Sequence, residues 1–155
     1  MTAKLAFGVE PSKRRYRLRL SRYEALAETV AGFIKNKTGR TIVLDVGVGS
    51  GRTLRYLEPT GLSEHAEFYG VDIDSKRLHN IYGKKKWRLV MADVTKGIPF
   101  KDESADVAII EQVLEHIPNP VDALKEMARV LKPGGLLIVG VPIFPAPVEW
   151  VRKKV

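Results

Sequence analysis

The chain has 155 residues, no cysteine and a formal net charge of +8. That length suits one domain, able to bury about 70% of the surface its unfolded chain would expose. The missing cysteines exclude disulfides, thiolate metal sites and a cysteine nucleophile. No apolar run reaches the roughly 18 residues of a membrane helix, and no apolar signal region opens the chain, so the expectation is a cytoplasmic protein without a membrane span.

The charge is unevenly spread. Residues 1–40 carry ten Lys/Arg against Glu10, Glu24 and Glu28, a net of +7, whereas the rest is nearly neutral. Three regions are expected: a basic segment over 1–20, a folded body over 21–141, and a proline-rich, basic tail over 142–155. The run Lys13-Arg14-Arg15-Tyr16-Arg17 reads either as a solvated approach or as a patch for an anionic partner such as nucleic acid.

In chain order, Ser21 and Glu24 have capping-box spacing and predict a helix over 21–37, with Leu26, Val30, Phe33 and Ile34 on one face and Gly39 as its stop. A β-branched strand over 41–46 runs into a glycine loop, then a short helix over 52–57 closed by Pro59. Strands follow over 68–72, 87–92 and 106–110, with a helix over 75–81 between the first two, capped by Ser75. Asn119 and Pro120 open another helix, whose expected buried face is Val121, Leu124, Ala128 and Leu131. Lys132-Pro133-Gly134-Gly135 stops it before a last strand over 136–141.

Most of these strands are continuous apolar runs, the pattern of strands covered on both faces. Alternation with helices predicts an α/β fold: a doubly wound, mainly parallel sheet with helices on both faces. In such sheets ligands bind beyond the carboxyl ends of the strands, where Asp45, Gly47, Asp72, Asp93 and Glu111 all fall.

The loop Asp45-Val46-Gly47-Val48-Gly49-Ser50-Gly51 narrows the ligand. Alternate glycines let the backbone turn sharply and approach a ligand. A dinucleotide fingerprint asks for a small residue where Arg52 stands, and no Gly-Lys-Ser/Thr follows as in a P-loop. Asp45 repels a pyrophosphate and suits an ammonium. Asp72 ends the second strand, where an acid takes ribose hydroxyls, and Asp93 at the third accepts from an adenine amine. Amino acid, ribose and adenine in that order describe S-adenosylmethionine.

These segments, together with Tyr69-Gly70-Val71-Asp72-Ile73-Asp74, Ala92-Asp93-Val94, Val113-Leu114-Glu115-His116-Ile117 and Arg129-Val130-Leu131-Lys132-Pro133-Gly134-Gly135, resemble the class I S-adenosylmethionine-dependent methyltransferases. The likeness runs over about residues 41–141, and the chain is similar to the branch that includes quinone-biosynthesis C-methyltransferases. It implies a Rossmann-like fold and a cofactor set of Asp45, Val46, Gly47, Gly49, Gly51, Asp72, Ile73, Asp93, Val94, Glu111 and Gln112. Within it, Asp45 orients the methionine amine, Asp72 holds the ribose with Ile73 against the adenine, and Asp93 and Val94 read the adenine edge. Glu111 and Gln112 lie near the reactive methyl. S-adenosyl-L-homocysteine is the implied product, and no metal is expected.

Methyl transfer from a sulfonium needs a base only when the acceptor must lose a proton; Glu111 and His116 are the candidates, with His116 also readable as a residue that merely opens the loop before Pro118. Tyr16, Arg19 and Tyr23 are expected near the methionine end or the acceptor. Relatives usually continue with a helix and an antiparallel strand pair, which this chain is expected to lack; it reads either as a fragment of a longer protein or as a minimal member whose sheet edge a second copy covers. A small-molecule acceptor leads the readings; an RNA-associated domain using the basic N-terminus, a non-catalytic cofactor scaffold and a nicotinamide enzyme are the alternatives.

Overall fold

A computed structural model describes residues 17–142. The basic run before Arg17 and the tail from Ile143 onward, including the Pro147 helix start and the basic end, lie outside the described residues, as does Tyr16.

Five strands form one parallel sheet in the order β3-β2-β1-β4-β5. They are β1 Thr41–Val46, β2 Ala66–Asp72, β3 Trp87–Met91, β4 Ala105–Glu111 and β5 Leu131–Gly140. The helices are α1 Arg17–Lys35, α2 Arg52–Leu57, α3 Ser75–His79 and α4 Pro120–Val130. The chain steps outward from β1 to β3, then crosses back to place β4 on the other side of β1. That reversal is the switch point at which open α/β sheets bind ligands.

Alternate residues of the central strands feed two separate cores. Val43, Val107 and Ile109 face α1, α2 and α3, meeting Val30, Ile34, Leu54 and Leu78. Leu44, Val46, Ala108 and Ile110 face α4, meeting Ala123, Met127 and Val130. Burial on both faces is why β1 and β4 read as unbroken apolar runs. The edge strands differ: Met91 on β3 and Leu137, Val139 and Val141 at β5 are exposed. Among the described residues, the outer edge of β5 pairs with no strand.

Several local expectations are corrected. Ser21 and Glu24 lie inside α1, because the Leu and Arg residues ahead of them are themselves strong helix formers. Asp74, not Ser75, caps α3: its backbone is extended and its Oδ1 accepts from the Lys76 amide at 2.8 Å. Asn119 makes no backbone cap; its side-chain amide donates to Asp122 Oδ2 at 2.6 Å. The buried face of α4 is Ala123, Met127 and Val130, while Val121 and Ala128 are exposed. Both stripes have helical spacing, and only packing against β4 chooses between them. The Pro-Gly-Gly segment does not precede β5. It lies within it as an irregularity, with Leu131 pairing Ala105 and Leu136 pairing Val107.

Candidate functional site

The glycine loop is pinned across the end of β2. The amides of Gly47 and Val48 both donate to the Val71 carbonyl, at 2.7 and 3.1 Å. The Gly49 amide donates to Asp72 Oδ2 at 2.9 Å, and Asp72 Oδ1 accepts from the Asp74 amide at 2.9 Å. Asp72 is therefore buried as the keystone of two turns. Each of its oxygens keeps a second lone-pair direction for a ligand.

Glycine is required at two loop positions for different reasons. Gly47 has φ +75°, and a Cβ there would stand 2.1 Å from Val113 Cγ2. Gly51, also at φ +75°, has no room because Ile81 Cγ1 and the Tyr82 carbonyl would lie 2.7 and 2.9 Å from a Cβ. Gly51 lines neither recess of the site and serves the packing of the 80–83 loop, whereas Gly47 stands at the site itself.

Two adjoining recesses open at the carboxyl ends of the strands. The loop recess, about 560 Å³, is lined by Asp45, the glycine loop from Gly47 to Ser50, Tyr23, Arg52, Thr53, Lys76, Arg77, Asn80, Glu111 and Gln112. The acid recess, about 320 Å³, is lined by Val46, Asp72, Ile73, Asp93, Val94, Thr95, Gln112, Val113, His116 and Ile117. Gly47, Arg77 and Gln112 border both. Their combined size is that of a small-molecule cleft. The three acids thus face one divided cleft, Asp45 in one recess and Asp72 with Asp93 in the other.

Asp45 is fully buried. Burial pushes its pKa up to about 7; the Thr53 hydroxyl bonded to it works the other way, and the charges of Glu111 and Asp72 raise it further. No cation is paired with it among the described residues. Asp93 is the opposite case: its Oδ1 accepts from the Thr95 amide at 3.0 Å and the Thr95 hydroxyl at 2.7 Å. Those bonds hold its pKa below the ordinary value. Ile73, 68% exposed, and Val94, buried, both line the acid recess around it.

Glu111 ends β4 inside the loop recess, its side chain only 6% exposed, with Arg22 Nε of α1 2.5 Å from its Oε1. The two side chains form a close ion pair. Burial raises the Glu111 pKa, and Arg22 opposes that rise. The next residue is strained. Gln112 has φ +56°, a region that costs a non-glycine residue about 1–3 kcal/mol. Its amide N–H donates to the Gly140 carbonyl at 2.8 Å, while its side-chain Nε2 is buried without a partner.

His116 is 78% exposed and lines only the acid recess, with Glu115 Oε1 4.0 Å away. His116 and Glu111 thus line different recesses, which share Gln112. The structure brings Tyr23 into the loop recess, as expected. It also adds Thr53, Lys76, Arg77 and Asn80 to that recess and sets Arg22 against Glu111, none of which sequence reasoning found. Only the pairing of Arg22 with a residue 89 positions away marks it out, and that pairing has no local sequence signal.

A family model described as "Methyltransferase domain" matches residues 44–139, the span holding the glycine loop, all three acids and Glu111. The chain belongs to that family. An uncharacterized methyltransferase of Mycobacterium sp. (strain JLS) is 35% identical over 126 residues, covering 81% of this chain and 45% of the relative. An Arabidopsis thaliana protein named tRNA (carboxymethyluridine(34)-5-O)-methyltransferase is 33% identical over 115 residues, covering 72% of this chain and 26% of that one. The chain thus spans less than half the length of these relatives. Among solved structures, the CurJ carbon methyltransferase superposes with a TM-score of 0.71 at 17% identity, over 86% of this chain and 38% of that one. That likeness carries the fold: the methyltransferase sheet with helices on both faces.

Proposed function

We propose that this methyltransferase domain binds S-adenosylmethionine across the two recesses and transfers its methyl group to an acceptor entering the loop recess. The observation that carries the reading is Asp45, a buried acid with no cation paired to it among the described residues, facing a recess bordered by Gln112, whose side-chain amide has no partner. A buried charge without a partner is costly unless a ligand supplies one. An ammonium does so for Asp45, and an oxygen acceptor does so for Gln112.

The remaining groups fit the same ligand. At Gly47, where a Cβ would collide with Val113, the bare backbone borders both recesses. Asp72 takes ribose hydroxyls with its second lone pairs, Ile73 and Val94 flank the adenine, and Asp93 accepts from its amine. Bound S-adenosylmethionine supplies a methyl group already activated on a sulfonium. The chain's own contribution is then orientation and exclusion of water. Glu111 is the group placed to take a proton from an acceptor, held in position by Arg22; His116, at the adenosine side, takes no part in that step.

Isothermal calorimetry tests the reading. Micromolar affinity for S-adenosylmethionine and S-adenosyl-L-homocysteine, with no affinity for NAD, is expected. A folded protein that binds neither sulfur nucleoside overturns it.

For the acceptor, a small molecule matches the size of the loop recess. An RNA acceptor is the second reading, favoured by the Arabidopsis relative named for a tRNA and by the cations Arg52, Lys76 and Arg77 around the recess.

A further inference from the structure

The near-neutral body hides a separation of charge. Residues 74–86 hold Lys76, Arg77, Lys84, Lys85 and Lys86 against Asp74 alone, a net of +4. Residues 89–142 hold five Lys/Arg against eight acids, a net of −3. All five cations of the first group are exposed. Lys76 and Lys85 make no side-chain hydrogen bond or ion pair among the described residues.

These cations lie close together in the chain, and Arg77 among them is paired with Asp74 at 3.5 Å. Lys76 and Arg77 line the loop recess. Lys84 Nζ reaches back to the His79 carbonyl at the end of α3, 3.2 Å away, so the 84–86 turn lies against that helix. Between them stands Tyr82, 37% exposed, with the Arg55 guanidinium 5.6 Å from its ring centre. Its hydroxyl is fixed by Glu58 Oε2 at 2.5 Å, and Lys86 is tied to the same carboxylate.

We propose that the cations of residues 76–86, with Tyr82 among them, form a docking strip for the phosphodiester backbone of an RNA that leads its target nucleotide to the loop recess. The proposal rests on the RNA reading of the acceptor. Phosphates account for most nucleic-acid affinity and ask for exposed, unpaired Lys/Arg. An aromatic ring set among cations adds a stacking surface for a base. An anionic bilayer would instead reward an amphipathic helix lying flat with apolar side chains beneath it. Here the helical pieces are five and three residues long, and the cations run into a recess.

The test measures binding of a fluorescent, unmodified tRNA transcript to the full chain by anisotropy, over a salt series. The wild-type protein should bind with a strongly negative salt slope. Changing both Lys84→Glu and Lys85→Glu should cut affinity by about tenfold or more and reduce the slope by about 2. Neither residue lines the recesses, so calorimetric affinity for S-adenosylmethionine stays unchanged and reports an intact fold; Lys85→Ala alone should give a smaller loss in the same direction. Three results overturn the proposal: tRNA binding that is unaffected by these changes but lost on neutralising Arg14, Arg15 and Arg17; binding to phosphatidylserine vesicles but not to tRNA; or no binding to either. Failure of S-adenosylmethionine to bind the wild type sinks the cofactor reading, and the tRNA titration still decides the strip.

Discussion

The two sides of this domain use charge in opposite ways. On the α4 side charges neutralise one another. Arg129 donates to Glu126, to Asp102 and to the carbonyls of Ile98 and Phe100, and Lys132 bonds Asp106 at 2.8 Å, which also accepts from the Ile42 amide. Those bonds tie loops to the sheet. On the α2–α3 side Arg77 pairs with Asp74 and Lys86 with Glu58, but among the described residues Asp45 is buried without a cation, the strained Gln112 has a side-chain amide without a partner, and Lys76 and Lys85 make no side-chain bond. Paired charge there would stabilise the fold and leave nothing to hold a ligand. Strongly perturbed, unpaired groups gathered in one cleft are the mark of a functional site.

This contrast is broken most severely at Asp72. Asp72→Ala leaves the Gly49 and Asp74 amides without their acceptor, at about 1–3 kcal/mol each, and takes away the ribose-holding acid. Calorimetry should show S-adenosylmethionine affinity reduced by at least about a hundredfold, with urea unfolding showing a loss of about 2 kcal/mol or more. Arg129→Ala separates the two effects. It should lower stability by about 2 kcal/mol in urea unfolding while leaving cofactor affinity nearly unchanged.

Asp45 sharpens the comparison through pH. Its pKa, raised by burial to about 7, means the folded state holds a proton that the unfolded chain releases near 4. The stability tied to this group is therefore full below pH 4 and is lost as pH rises towards 7. Asp45→Asn keeps a partner for Thr53 and removes the titration, so at pH 8 it should raise stability by about 1 kcal/mol or more. The same change should weaken cofactor binding by roughly tenfold or more, through loss of the ammonium's partner. In the wild type, affinity should rise with pH by close to tenfold per unit below about 7, as binding expels the Asp45 proton. It should flatten or fall as the ligand's own amine deprotonates. A flat profile between pH 5.5 and 7.5, measured in two buffers of different ionisation enthalpy, removes Asp45 from ammonium binding. The smallest effect is expected at Gly134, which has φ +71° but open space around a Cβ. Gly134→Ala should cost only about 1 kcal/mol and leave binding intact. Gly47→Ala, with the same sign of φ and a clash with Val113, should weaken binding far more than it shifts the unfolding midpoint.

The legible parts of the molecule are those decided by neighbours in sequence. β1 and β4 announce themselves because both faces are buried. The glycine loop and the acids at 45, 72 and 93 stand at fixed offsets from strand ends, so chain order alone brings them to one rim of a parallel sheet. The caps and the α4 face were misread because more than one local solution satisfies the pattern: Asp74 and Ser75 are both capping residues, and two stripes of α4 are both apolar.

What only the tertiary structure decided lies between residues remote in the chain. Arg22 meets Glu111, Thr53 meets Asp45, and Gln112 is forced to positive φ under the Gly140 carbonyl. Likewise, the net +4 of residues 74–86 and the net −3 of residues 89–142 are set apart in space only because α3 and α4 take opposite faces of the sheet. The sequence determined which chemical groups stand at the strand ends, because backbone periodicity is local. Their protonation, strain and pairing depend on what is packed against them, and burial is a property of the assembled sheet and helices.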